Sequence, residues 1–172
     1  LGLVGSEMCI RDSNLTFQYT IQAGDNDADG ISIDQNNIIG TITDLAGNIA
    51  SDVTINALPD NSSYKVDTTA PSVDNFTMSD TALKIGDNAT VTLIFSEQIC
   101  PVTDSCAIGF NNSDIDVPDV TGTFTDTGSL STLTTDDNVT WTGIFIPTDN
   151  IEDNTSVLTL GTGYTDLAGN AG

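Results

Sequence analysis

The six residues Thr-Asp-Leu-Ala-Gly-Asn occur twice in this chain, at 43–48 and at 165–170, a spacing of 122 residues. Between the copies lies Val66-Asp67-Thr68-Thr69-Ala70-Pro71. A motif that returns at module-sized spacing constrains architecture more than local propensity does, because each repeat is one structural unit laid beside the next. The expectation is an array of similar modules, cut from a longer protein. At 172 residues, one large or two small domains fit.

The kind of module follows from residue types. Thr is the commonest side chain and Asp supplies all but three of the 25 acids, whereas Lys and Arg together number 3. β-branched residues suit pleated strands. Asp favours turns and caps, where its short carboxylate bonds nearby backbone N–H groups. The chain therefore reads as all-β. Its net charge of −22 repels nucleic acid and anionic membrane surfaces. No histidine is present, which removes the Ser-His-Asp arrangement and most zinc sites. No apolar stretch approaches the ~18 residues of a membrane span. A compact, acidic, Lys-poor β chain fits an extracellular setting better than cytosol.

Leu1 to Ser13 (LGLVGSEMCIRDS) does not match the rest of the chain in composition or pattern. It resembles a translated sequencing-adapter tail and is set aside from fold reasoning. Residues 14–66 read as the C-terminal part of one module and 67–172 as a second. After the first TDLAGN the chain runs on to Val66, while after the second only Ala171 and Gly172 remain. By that comparison the second module is expected to lack its last strand.

In the first part, Leu15, Phe17, Tyr19 and Ile21 alternate with polar residues, the pattern of a half-buried strand. Gly24–Gly30 reads as a polar turn, Ile31 and Ile33 as a short strand, and Ile38, Ile39 and Ile42 as the approach to TDLAGN. Val53–Ile55 and Tyr64–Val66 read as strand pieces around a turn at Pro59-Asp60-Asn61. Pro71 sets a stiff boundary, since it fixes its own φ and extends Ala70. Beyond it, strands are expected at 73–78, 89–95, 115–117, 120–124, weakly at 130–133, at 139–146 and at 156–160. Short strands at such intervals describe an immunoglobulin-like sandwich, with Trp141 at the centre of its core.

VDTTAPSV, LKIGDNATVTLIFSEQI and LSTLTTDDNVTWTGIFIPTDNIEDNTSVLTLGTGYTDLAGNAG, in that order, resemble the bacterial Ig-like repeats of large surface and RTX-type adhesins. FQYTIQAGDNDADGISIDQNNIIGTITDLAGN resembles the closing half of such a repeat. The resemblance implies tandem Ig-like β-sandwiches in a secreted or surface-anchored protein, with calcium at repeat junctions and no enzyme activity. Neighbouring modules are the implied partners, with host-cell or surface glycans or proteins beyond them. Cys100 and Cys106 depart from the pattern, since such repeats are generally cysteine-free.

Calcium takes six to eight oxygen ligands from loops, and Asp, Asn and backbone carbonyls supply them. Asp25, Asp27 and Asp29, with Gly30 sixth, match the first half of an EF-hand loop, but position twelve is Asn36 rather than Glu. A hairpin turn with solvated aspartates is the alternative. Asp44 and Asn48, with Asp67 before Pro71, form a second candidate at the module junction, repeated by Asp166 and Asn170. DLAGN also reads as a tight turn in which Asp bonds backbone N–H groups and Gly takes positive φ. The two readings can coexist. Cys100 and Cys106 either bridge in an oxidising compartment or stay free, depending on their Cα separation.

The expected role is a calcium-stiffened spacer in an extracellular adhesive repeat protein. A carbohydrate- or protein-binding module and an accessory domain of a secreted hydrolase are the competing roles.

Overall fold

A computed structural model describes residues 18–35, 40–44, 46–51, 54–104, 106, 108–118, 127–152 and 157–172. The chain divides into two units, one ending at Thr68 and one spanning Thr69–Gly172. Among the described residues no helix is long and apolar enough to cross a membrane.

In the first unit, β1 (Ile31–Ile33) pairs antiparallel with β2 (Leu58–Asn61), Ile31 opposite Asn61 and Ile33 opposite Leu58. The expected turn at Pro59-Asp60-Asn61 is thus strand, and the chain turns at Ser62–Ser63 instead. Pro59 is tolerated because a two-stranded sheet is all edge, where a missing N–H need cost no ladder bond. Of the first expected strand, residues 18–21 are described and form none, and Leu15 and Phe17 lie outside the described residues. So do Ile38, Ile39 and Val53. Tyr64–Val66 contributes a single bridge, Val66 to Asp27. No large apolar side chain of this unit is buried among the described residues.

The second unit is a two-layer sandwich. One layer is the antiparallel sheet β3-β4-β7-β6, made of Val73–Met78, Ala89–Phe95, Thr140–Pro147 and Gly128–Leu130. The other pairs β5 (Ile115–Asp116) with β8 (Thr159–Leu160). A 3-10 turn at Asn112–Asp114, capped by Asn111, leads into β5. β4 shows why alternation specifies a strand with one face inward: Ala89, Val91, Leu93 and Phe95 are buried, and the threonines between them are not. Leu93 lies opposite Trp141 on β7, so the two longest strands aim their large side chains at one core. The expected strand at 120–124 lies outside the described residues.

Leu93, Phe95, Ile99, Phe110, Ile115, Leu133, Trp141 and Tyr164 make up that core. Each such side chain removed from water contributes roughly 1.5–3 kcal/mol. Trp141 is buried, as expected, and its indole N–H donates to the Asn138 carbonyl at 3.2 Å. The centre of the aromatic cluster is Phe110 rather than Trp141. Phe110 meets Trp141 edge-on at 4.9 Å, Phe95 at 5.4 Å and Tyr164 at 6.0 Å. It lies outside the strands, so no alternation marked it.

Candidate metal centre

The described residues of the two TDLAGN copies form the same kind of tight turn. In the first, Asp44 Oδ1 accepts the N–H groups of Ala46 and Asn48, and Oδ2 accepts the Asn48 side-chain amide. In the second, Asp166 Oδ1 accepts those of Gly169 at 2.6 Å and Asn170 at 2.8 Å, and Oδ2 accepts the Asn170 amide at 2.7 Å. Gly47 and Gly169 hold φ of +86° and +96°, a region open to glycine at little cost. Single bridges, Thr43 to Ile49 and Thr165 to Ala171, close the two hairpins. The hydrogen bonds hold the Asp44 carboxyl below its ordinary pKa, the Asn48 side chain contributing most.

Burial separates the copies. Asp44 is exposed, whereas Asp166 is 1% exposed. Asp166 is held inside because its backbone bridges Ile99 and the Thr165 carbonyl accepts the Cys100 N–H at 2.9 Å. That pairing places Asp166 beside the turn that follows β4. A carboxylate oxygen of Glu97 in that turn lies within 4.8 Å of one from Asp166. No motif or spacing in the sequence pointed to Glu97. Its only advance signal was chemical, a glutamate in a chain whose acids are nearly all aspartate.

The half EF-hand loop is organised differently. Asp25 Oδ2 accepts the Gln22 N–H and the Tyr19 hydroxyl, each at 2.7 Å. These bonds, the Gln22 amide first, lower the pKa of Asp25. Asp27 exchanges both backbone hydrogen bonds with Val66, and its Oδ1 accepts the Gly30 N–H. Asp29 is exposed. Among the described residues these three carboxylates form no group with oxygens within 4.8 Å of one another. Hydrogen bonds to the segment Val66–Thr68 hold the loop together, and the twelfth position, Asn36, lies outside the described residues. Asp67, exposed, follows Val66 near the end of the first unit.

The structure joins Cys100 and Cys106 in a disulfide with Cα atoms 6.3 Å apart. The aromatic side chains Phe95, Phe110, Trp141 and Tyr164 are all buried in the sandwich and are not available to stack on a ligand.

No curated protein and no solved structure matches the chain. The sequence pattern of the bacterial Ig-like domain matches residues 67–172, which include the whole sandwich unit, so the chain belongs to the bacterial Ig-like domain family.

Proposed function

We propose that the chain is a non-catalytic spacer of a large bacterial extracellular repeat protein, adhesive in its full length, stiffened by calcium at the module end. The observation that carries this reading is the approach of Glu97 to the buried Asp166. Two carboxylates this close repel each other, and a cation between them relieves that repulsion, the more so where they are partly buried. The donors are all oxygen, which suits a hard cation such as calcium.

The acceptor count allows it. An ionised carboxylate offers about four lone-pair sites. Three on Asp166 are taken by N–H donors, two of them on Oδ1, which leaves a site on Oδ2 for an ion. Glu97 would supply a second ligand. Ser72, at the start of the sandwich, is fastened to Ser96, the neighbour of Glu97, by bonds of 2.8 and 2.9 Å. An ion held on Glu97 and Asp166 would stiffen that end of the sandwich. Burial of the sandwich aromatics gives the glycan-binding reading less support.

Thermal unfolding of the whole chain in millimolar calcium and then in excess chelator tests the reading. A ligand that binds the native state raises the transition by mass action. The expected result is a higher melting temperature with calcium and loss of that gain in Glu97→Gln. No shift with calcium would sink the proposal.

A further inference from the structure

We infer that the Cys100–Cys106 disulfide is a redox-operated latch on the hairpin Tyr164–Gly172. Thr165, 4% exposed, is gripped from both arms of the disulfide loop. Its carbonyl accepts the Cys100 N–H at 2.9 Å from one arm. Its hydroxyl donates to the Ile108 carbonyl at 2.9 Å on the other. Between these arms the loop closes on itself: Phe110 donates to the Cys100 carbonyl at 2.7 Å, and Val102 donates to the Phe110 carbonyl at 3.2 Å. Gly109 permits the close approach, since a Cβ there would collide with the Val102 backbone.

The disulfide holds the two arms at one separation. Cutting it lengthens the tether between Cys100 and Ile108 without removing any hydrogen-bonding group. The two bonds to Thr165 then depend on a loop that must order itself without the bridge, at a cost in backbone entropy. Docking of the hairpin, with Tyr164 against Phe95 and Phe110, is therefore tight when the cysteines are oxidised and loose when they are reduced.

The chemistry is thiol–disulfide exchange with a dithiol reductant. Cys100 is fully buried and Cys106 is not, so the reductant thiolate attacks Cys106 Sγ. The S–S bond breaks, its electron pair leaves on Cys100 Sγ, and that sulfur takes up a proton. The second thiol of the reductant resolves the mixed disulfide. Cys106 is released as a thiol and the reductant as a cyclic disulfide, two electrons and two protons having passed to the protein. Such a latch closes the module in oxidising surroundings and opens it in reducing ones.

Native-state hydrogen exchange on the full chain tests this, in the oxidised form, after dithiothreitol with thiol titration, and in the Cys100→Ser/Cys106→Ser double variant. The amides of Phe110, Asp166 and Gly172 are expected to lose at least tenfold protection in both unbridged forms. Those of Val91, Leu93 and Trp141, in the β4–β7 ladder, should change severalfold less, as expected for a local opening. Reoxidation of the reduced chain should restore the hairpin amides. Unchanged hairpin exchange, equal acceleration of hairpin and ladder, or a bond that dithiothreitol leaves intact in the folded chain would each overturn the latch. The exchange is run without added calcium, so its outcome is separate from that of the calcium melt.

Discussion

Asp44 and Asp166 occupy the same position in two folded copies of one turn, yet Asp166 is 1% exposed and Asp44 stands in solvent. Removing the carboxylate takes an acceptor away from three N–H groups in each case. Water can replace it at Asp44 but not readily at Asp166. Asp166→Ala is expected to lower stability by about 3 kcal/mol, the range for buried groups left unsatisfied. Asp44→Ala should have a clearly smaller effect. Urea denaturation of the two variants makes the comparison.

The turn glycines give a purely conformational test. A Cβ at Gly47 or Gly169 would meet nothing within 4 Å, so alanine there adds backbone strain without a clash. Gly169→Ala should cost about 1 kcal/mol, and Gly169→Asn less, because Asn tolerates positive φ. Asn138 already does so in this chain, at φ +59°. Shifts of the urea midpoint at constant slope are the measurement.

Phe110→Ala is expected to destabilise the sandwich by about 3–5 kcal/mol, as for a large aromatic removed from a packed core. The loss should equal or exceed that of Trp141→Phe, which keeps most of the ring volume. Thermal melts followed by near-UV circular dichroism would show both the stability change and the loosened aromatic packing.

Acid should weaken the fold through its turn carboxylates. The Thr140 amide first, then that of Val139, holds the Asp137 carboxyl below its ordinary pKa, with the Thr135 and Thr140 hydroxyls adding to the effect. A carboxylate whose folded pKa is lowered contributes stability above its unfolded value, and that contribution disappears as pH falls through the folded value. Melting temperature should therefore decline below about pH 4, the ordinary carboxylate pKa. Asp137→Asn should be less stable at pH 7 and show a shallower decline. Equal slopes for variant and wild type would exclude Asp137 as a contributor.

What was legible in the sequence was local. Alternation at Ala89–Phe95 and at Thr140–Phe145 specified two strands with one apolar face each, because successive side chains point to opposite sides. Asp, Gly and Asn in TDLAGN specified the turn, because a short carboxylate caps N–H groups two to four residues away and glycine takes positive φ. Expectations failed where local chemistry was ambiguous, as at Pro59-Asp60-Asn61, whose turn-like composition is overridden by pairing with Ile31–Ile33.

The tertiary structure decided everything that depends on residues far apart in the chain. Identical hexapeptides cannot differ in local preference, so the burial of Asp166 comes from Ile99 and Cys100 pairing beside it. The same pairing brings in Glu97, which no spacing rule connected to the motif. Packing of Trp141, Phe95 and Tyr164 around Phe110 places it at the centre of the aromatic cluster. Short-range hydrogen bonding and side-chain alternation are written residue by residue. The environment of a carboxylate is supplied by whichever distant strand packs against it.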